Sequence, residues 1–299
     1  MSAIYSIRDL ESLSGIKAHT IRIWEQRYGI LKAARTETNI RYYSETELKY
    51  LMSLALLNRN GFKISKLAIY SPDEIAEKVE HLINEPQEFH PQIEALTLAT
   101  MAYDEEKFDK VLNTTILQMG LEAAMRKVIF PYLDKLGMLW VSGSVIAAQE
   151  HFMTQLLRQK LIVAIDGQIP HYTGDSLTYV LFLPNGEWHE LGLLFLHYLL
   201  KSRNHRVIYL GPSVPLQDVL QVGESLNPNA FYTVLTKNPN GFHVVDYLNK
   251  LAEAFPCSTV FSSGSQVAGP LKGLASNVKI IDSIDSIVDS PEVLMAENR

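Results

Sequence analysis

Residues 183–192 read Leu-Pro-Asn-Gly-Glu-Trp-His-Glu-Leu-Gly and stand between two apolar segments. Residues 179–182 before them predict a buried strand, and residues 193–200 after them have the length and apolar content of a helix. A Pro-Asn-Gly loop between a strand and a helix puts its polar residues where open α/β sheets bind their ligands. The residues concerned are Glu187, His189 and Gly192. A core histidine at a helix start would produce the same pattern by chance, so the rest of the chain has to decide.

The segment from about residue 176 onward alternates short apolar strands with helices. Strands are predicted at 178–183, 206–210, 231–235, 259–262 and 278–281, and helices at 189–201, 216–226, 244–255 and 267–274. This repeat predicts a parallel sheet with helices on both faces, a Rossmann-like or flavodoxin-like domain. The first strand is not followed by Gly-x-Gly-x-x-Gly, and the chain has neither a Walker A sequence nor a Gly-x-Ser-x-Gly elbow. The usual phosphate cradles and the hydrolase nucleophile are therefore excluded.

Length and composition describe a globular protein of more than one domain. The chain has 299 residues, of which 47% are hydrophobic and 20% charged, so two or three domains are expected. No apolar run reaches membrane-spanning length, and no signal peptide is expected. The single cysteine, Cys257, excludes an intramolecular disulfide and any multi-cysteine metal site. A reducing cytoplasm is the expected compartment.

The net charge of −6 is unevenly distributed along the chain. Residues 1–70 hold 11 Lys and Arg against 6 Asp and Glu, whereas the other 229 residues hold 16 against 27. A basic head on an acidic body predicts that only the head meets a polyanion such as nucleic acid.

The basic head has the pattern of a helix-turn-helix. A first helix is predicted over residues 7–13, ended by Gly15, and a second over residues 18–27. Two short helices across a Ser-Gly turn place the second helix in the major groove of DNA. The predicted DNA contacts on that helix are His19, Thr20, Arg22 and Arg27.

The polar and basic stretch 31–43 suits a β-wing that clamps phosphates with side chains and backbone amides. Ser44 and Glu47 form a capping-box pattern that starts a third helix, residues 45–60. The predicted contacts on the wing are Arg35, Asn39, Arg41 and Tyr42.

These features together resemble the MerR family of transcription regulators over about seventy residues. The resemblance implies operator binding through the second helix and the wing, by dimers on palindromic sites. One departure is Glu37-Thr38-Asn39, which stands where many relatives have Gly or Pro in the wing. The matching residues are Tyr5, Ile7, Leu10, Ser14, Gly15, Thr20, Ile21, Arg22, Trp24, Glu25, Tyr28, Gly29, Arg35, Thr36, Arg41 and Tyr43.

Residues 91–168 are helical in pattern, with breaks near 103–104, 119–120 and 141–144, and predict a bundle of four helices. Trp140 closes one helix, and Glu150-His151 lies in the next. Considered alone, Trp140 would be a core side chain and Glu150-His151 a surface pair. Together they resemble the helical cap of cobalamin-binding MerR-type regulators of the CarH, CarA and LitR type.

The resemblance implies that Trp140 covers the upper face of the corrin ring, that Glu150 accepts hydrogen bonds from an adenosyl ribose and that His151 supports it. Val141 stands where light-responsive relatives have a histidine that is thought to bind cobalt after the alkyl group leaves. The resemblance still implies a light response, but without this histidine the photoproduct would have to be ligated differently, by His151 or by water.

The loop of residues 183–192 resembles the cobalamin-domain motif Asp-x-His-x-x-Gly, which implies that His189 is the lower cobalt ligand. Thr233-x-Leu235 and Ser263-Gly264 follow in the order that the family requires. Glu187 replaces Asp, Thr233 replaces Ser, and Ser263 replaces a glycine, which is expected to narrow the pocket for the nucleotide tail. The implied cofactor contacts are Trp140, Glu150, His151, Glu187, His189, Gly192, Thr233, Leu235, Ser263 and Gly264.

The sequence therefore predicts an α plus α/β multidomain protein with a winged helix-turn-helix head, a four-helix-bundle cap and a Rossmann/flavodoxin-like parallel-sheet cobalamin-binding domain. The predicted boundaries are 1–75, 76–170 and 171–299. The predicted function is a cytoplasmic, non-enzymatic repressor, a homo-oligomer (dimer or tetramer) whose binding to double-stranded operator DNA is controlled by adenosylcobalamin, or alternatively methylcobalamin. Two alternatives stay open. One is a MerR-type regulator with a vestigial corrinoid fold, and the other is a corrinoid methyl-carrier, against which the DNA head argues.

Overall fold

The computed structural model describes residues 4–35, 41–83, 89–237, 242–269 and 271–281. The chain divides into two compact units, Met1–Leu156 and Leu157–Arg299. The boundary predicted near residue 75 lies inside the first unit, and the division into three domains stays a prediction. None of the described helices is long and apolar enough to cross a membrane.

The first unit begins with the predicted winged helix-turn-helix. Strand β3 is the centre of a three-stranded antiparallel sheet of order β1-β3-β2. The predicted helices at 7–13, 18–27 and 45–60 are confirmed to within one residue at each end. Capping boxes at Ser6 and Ser44 begin the first and the third of them. The elements are β1 (Ile4–Tyr5), α1 (Ile7–Ser14), α2 (Ala18–Tyr28), β2 (Ala34–Arg35), β3 (Arg41–Ser44), α3 (Glu45–Arg59), α4 (Ile64–Leu67) and α5 (Pro72–Ile83).

Four helical stretches follow, as predicted. The third stretch is continuous, since a π-helical turn (Met125–Ile129) joins α8 to α9. The stretches end where the sequence predicts, at Tyr103, Gly120 and Gly143, each of which has a positive φ. The helices are α6 (His90–Met101), α7 (Glu105–Met119), α8 (Leu121–Ala124), α9 (Phe130–Ser142) and α10 (Ala147–Asp166).

A hydrophobic core of the head extends to the end of α9. Met138, Leu139 and Trp140 are partly buried and pack against it. Trp140 therefore has a packing role within the first unit. The buried members of this core, called the head cluster below, are Leu10, Ile21, Trp24, Ile30, Leu31, Tyr43, Leu48, Leu51, Leu54, Leu57, Leu67, Ile75 and Val79.

The second unit is the predicted parallel α/β domain. Its five strands have the order β5-β4-β6-β7-β8, and all pairs are parallel. All five predicted strands are confirmed, with β5 four residues longer than expected. The elements are β4 (Thr178–Pro184), α11 (Leu191–Ser202), β5 (Arg206–Val214), α12 (Leu216–Leu226), β6 (Ala230–Val234), α13 (Val244–Ala254), β7 (Thr259–Ser263) and β8 (Val278–Ile280).

Strand order reverses at β4, because β5 lies on one side of it and β6 on the other. Right-handed crossovers then place α11 on one face of the sheet and α12 and α13 on the opposite face. A reversal of this kind opens a crevice at the carboxyl ends of the strands, and the loop after β4 lies there.

The helix predicted over 267–274 is wrong. The described residues of this stretch form turns and bends. Gly269 and Gly273 have φ values of 103° and 84°, which a right-handed helix cannot accommodate. The predicted helix at 189–201 begins at Leu191 instead. His189 therefore belongs to the loop before the helix.

Candidate functional site

The loop after β4 presents one exposed and one buried ionisable side chain. The Glu187 side chain is fully buried, whereas the His189 side chain is 47% exposed. His189 Nδ1 lies 2.5 Å from Glu187 Oε1. A proton on Nδ1 donates to the carboxylate, and Nε2 is then the ring nitrogen available to a metal.

Glu187 accepts hydrogen bonds from five donors. Besides His189 Nδ1, Oε1 accepts from the backbone N–H groups of Trp188 (2.9 Å) and His189 (3.1 Å). Oε2 accepts from the backbone N–H groups of Thr236 (3.0 Å) and Lys237 (2.6 Å). Burial alone would raise the pKa of Glu187, but the hydrogen bonds from His189 and the backbone amides outweigh it and lower that pKa. The carboxylate stays ionised and holds the imidazole in one tautomer.

The end of β5 braces the other side of the same loop. Ser213 Oγ accepts from the backbone N–H of Gly186 at 3.1 Å and donates to Asn185 Oδ1 at 3.2 Å. The backbone N–H of Ser213 donates to the Glu187 carbonyl at 3.1 Å. These contacts fix the backbone that carries the exposed imidazole.

Two neighbouring strands carry buried hydroxyls that have no partner among the described residues. Thr233 on β6 and Ser262 on β7 are fully buried and paired in register. Neither Oγ atom has a hydrogen-bond partner. Since buried hydroxyls are nearly always hydrogen-bonded, these two adjacent hydroxyls without a partner are candidates for binding polar groups of a ligand. The amide, hydroxyl and phosphate groups of a corrinoid nucleotide tail fit that requirement.

Ser263 lies on the opposite face of the sheet, because side chains alternate along a strand. Its Oγ accepts a hydrogen bond from the buried Tyr232 hydroxyl at 2.9 Å. The Ser263 side chain therefore does not narrow the space on the face of the sheet where Thr233 lies. Gly264 has a φ of 107°, and a Cβ there would lie 2.6 Å from the Leu235 carbonyl oxygen. The backbone of Leu235 leaves no room for a side chain at position 264, which explains why this residue is glycine.

Gly192 is buried at the second residue of α11. In the first unit, Glu150 and His151 lie in the first turn and a half of α10, and His151 Nδ1 is 2.9 Å from Glu150 Oε2. Thr154 Oγ1 donates to Glu150 Oε1 at 2.8 Å. The His151 side chain is 76% exposed, so the pair is at the surface.

The predicted DNA contacts lie on exposed parts of α2 and the wing. His19, Arg22 and Arg27 are exposed, while Ile21 and Trp24 of the same helix are buried in the head cluster. Thr20 is half-buried, and its Oγ1 lies 3.3 Å from His19 Nε2. Ile23 and Gln26 are also exposed on α2, although the sequence interpretation did not select them.

Arg35 and Arg41 are directly paired across β2 and β3, and both are exposed. Two arginines directly opposite each other on neighbouring strands form a basic patch, and guanidinium groups are common phosphate contacts in DNA-binding proteins. Tyr42 is half-buried beside them. Asn39 lies outside the described residues.

The partners of Glu187 in the loop after β6 and on β5 could not be identified from the sequence. Backbone N–H groups carry no residue signature, and Ser213 is distant along the chain. The unpartnered Ser262 was missed for a similar reason, since only the strand register brings it beside Thr233.

Two family models match the chain: residues 5–74 match the MerR HTH family regulatory protein and residues 92–164 match the B12 binding domain. The HTH-type transcriptional repressor CarH of Myxococcus xanthus is 30% identical over 261 residues, 84% of this chain and 85% of CarH. The repressor CarA of the same organism is 29% identical over 215 residues, 70% of this chain and 68% of CarA.

Among solved structures, the monomethylamine corrinoid protein of Methanosarcina barkeri aligns with a TM-score of 0.55 at 11% identity. The alignment covers 68% of this chain and 96% of that chain. At this identity the likeness supports the fold alone.

Proposed function

We propose a function from the premise that the chain belongs to the MerR-type transcriptional regulators with a B12-binding domain. The chain is a cobalamin-binding transcriptional regulator and not an enzyme. Its function is to repress transcription by binding double-stranded operator DNA, with cobalamin as the effector. Action on chromosomal operators places its work in the cytoplasm.

The observation that carries this proposal is the clamp of His189 by a fully buried, five-fold hydrogen-bonded Glu187. The backbone amides that donate to Glu187 stabilise the loop itself, but the hydrogen bond to the ring of a half-exposed histidine is not needed for that purpose. The same support is what a metal-ligating histidine requires, because it fixes tautomer and ring orientation. His189 Nε2 is therefore the proposed lower ligand of cobalt.

Further residues would hold the rest of the cofactor. The hydroxyls of Thr233 and Ser262 would bind polar groups of the nucleotide tail, with Gly192, Leu235, Ser263 and Gly264 shaping their surroundings. Trp140, Glu150 and His151 are the proposed contacts of the upper axial ligand. When bound, the corrinoid supplies a cobalt centre whose alkyl group can be lost, so that the ligand itself changes state.

Adenosylcobalamin is the proposed form, with methylcobalamin as the alternative. Binding of the effector favours a homo-oligomer, which holds several DNA heads together and raises the effective concentration at the operator. Regulation then requires that the cofactor binds one assembly state better than the other.

An absorption spectrum with adenosylcobalamin in the dark, and again after illumination, tests the ligand assignment. We expect a spectrum with the cofactor's own base displaced by histidine, and loss of this ligation in His189→Ala. His243→Ala is the matched control, because His243 is an exposed histidine of the same unit whose side chain is 70% exposed. Unchanged ligation in His189→Ala would remove the site assignment.

A gel shift with a DNA duplex selected from a randomised pool tests whether operator binding is regulated by cobalamin. We expect operator affinity to depend on cobalamin, and Arg22→Ala or Arg41→Ala to weaken it. A spectral change on illumination that is accompanied by DNA release would support a light response, although Val141 offers no ligand. Absence of cobalamin binding would favour a vestigial corrinoid fold.

A further inference from the structure

Glu190 follows the proposed cobalt ligand directly and uses both of its carboxylate oxygens. Oε1 accepts a hydrogen bond from Arg158 Nε of α10 at 2.6 Å. Oε2 accepts one from the Tyr209 hydroxyl of β5 at 2.7 Å. The Glu190 side chain is 11% exposed and that of Arg158 is 41% exposed, so the carboxylate is largely shielded from water while the guanidinium group is not. Charge-assisted bonds of this length are among the strong ones in proteins.

The same network also reaches α11. The Tyr209 ring stacks on the His197 ring of that helix, with centroids 5.3 Å apart and an interplanar angle of 16°. The Glu190 carbonyl accepts the backbone N–H of Leu194 at 2.9 Å, which begins α11. Three elements, α10, β5 and α11, are thus tied together at one residue.

His189 is held from both sides as a result. On its N-terminal side Glu187 is fixed to the loop after β6, and on its C-terminal side Glu190 is fixed to α10 and β5. Between these two anchors the side chains of Trp188 and His189 are exposed, and the imidazole is the one of the two that can bind a metal. An exposed ligand on a doubly anchored backbone can meet a metal without first losing conformational freedom.

We propose that Glu190 is a positioning residue for the cobalt ligand: through Arg158 and Tyr209 it fixes His189 and ties the ligand loop to α10. This inference rests on the proposed function, because it concerns the same site. It assigns Glu190 no contact with the cofactor. A purely structural carboxylate would affect the stability of the unit but not the ligation of cobalt.

The test uses the full-length chain loaded with cob(II)alamin, whose electron paramagnetic resonance spectrum shows hyperfine splitting from an axial nitrogen. Labelling the histidines with nitrogen-15 changes that splitting only when a protein histidine is the ligand. We expect the histidine-ligated fraction to fall in Glu190→Ala, with cobalamin affinity lower by about 10–100-fold. Glu190→Gln keeps the shape and one acceptor and should restore part of both.

Arg158→Met and Tyr209→Phe each remove one donor and keep the rest of the network, so they provide folded variants if Glu190→Ala does not fold. Both should lower the histidine-ligated fraction. Glu94→Gln is the matched control, because Glu94 pairs with the buried Lys135 in the first unit and has no link to His189. The control should match the wild type.

Three outcomes would overturn the inference. If Glu190→Ala has the same histidine-ligated fraction as the wild type, Glu190 does not position His189, and the proposed function still stands. If Glu190→Ala does not fold, the same result in both Arg158→Met and Tyr209→Phe leads to the same conclusion. If Glu94→Gln lowered the histidine-ligated fraction as much as Glu190→Ala does, the loss would be a general effect of lower stability. A wild type whose splitting does not respond to labelling would remove His189 as the ligand, and the inference would fall with it.

Discussion

Replacing Glu187 with Gln tests the clamp most directly, because the two side chains have nearly the same shape. The carboxylate offers two acceptor oxygens to five N–H donors in a fully buried position. The glutamine amide offers one acceptor and one donor group. In one orientation its NH₂ faces the amides of Thr236 and Lys237, and in the other it faces those of Trp188 and His189. At least two buried donors lose their acceptor either way.

An unsatisfied buried donor costs about 1–3 kcal/mol, so Glu187→Gln should lower the free energy of unfolding by about 2–6 kcal/mol. Urea unfolding of the cobalamin-free protein, followed by circular dichroism, measures this change. Glu253→Gln on the exposed surface of α13 is the control and should stay within about 0.5 kcal/mol of the wild type. Cobalamin affinity should also fall by about 10–100-fold, because the tautomer of His189 is no longer fixed.

The pH dependence gives the prediction a second test. The native pKa of Glu187 is lower than its usual value of 4.5, so the unfolded chain takes up the proton first as pH falls. The stabilisation is complete above that usual value and is lost as pH falls through the native pKa. The difference between wild type and Glu187→Gln should therefore shrink in acid. A glutamine variant as stable as the wild type at neutral pH would refute an ionised, hydrogen-bonded Glu187.

Thr233→Val removes a buried hydroxyl without a partner, so it should stabilise the cobalamin-free protein by about 1 kcal/mol and weaken cobalamin binding. Calorimetry measures the stability and spectral titration measures the cobalamin affinity. If the variant is more stable and also binds cobalamin at least as tightly as the wild type, a tail-binding role is contradicted. His197→Phe tests acid stability: burial and the positive charge of Lys201 lower the pKa of His197 to about 4 from 6.5. As pH falls from 6.5 to 4, the free energy of unfolding of the wild type should decrease by roughly 3 kcal/mol more than that of the variant. If the two proteins lose stability in parallel over this range, the pKa of His197 is not lowered. Gly264→Ala should destabilise the fold by more than about 2 kcal/mol, since its Cβ would lie 2.6 Å from the Leu235 carbonyl at a φ of 107°. A melting temperature like that of the wild type would contradict this packing.

The strands of the second unit could be predicted from the sequence because buried parallel strands are nearly continuous runs of apolar residues. Residues 178–184 are almost continuously apolar and form an interior strand of the sheet, with a neighbouring strand on each side. The helix predicted over 267–274 was wrong for the opposite reason. Apolar residues recur there at helical spacing, but Gly269 and Gly273 adopt left-handed conformations that the apolar pattern does not reveal.

The candidate site could be predicted only where its chemistry is local in the chain. Glu187 and His189 are two residues apart, so a motif can represent the ligand and the group that orients it. The second oxygen of Glu187 binds backbone amides about fifty residues later. Arg158 lies 32 residues before Glu190. Such partners depend on the register of the sheet and on helix packing, which single-sequence patterns do not encode.

Trp140 shows why the functional conclusion rests on His189. The tryptophan packs with Met138 and Leu139 against the head cluster, which also contains Trp24 of α2, the predicted DNA-binding helix. Trp140→Ala would therefore weaken operator binding even without cobalamin, by loosening the head. Only the difference between operator affinities with and without cobalamin isolates a cofactor role for this residue. His189 is outside the head cluster, so a substitution there that abolishes the cobalamin response and leaves cobalamin-free DNA binding intact would show that the response depends on His189.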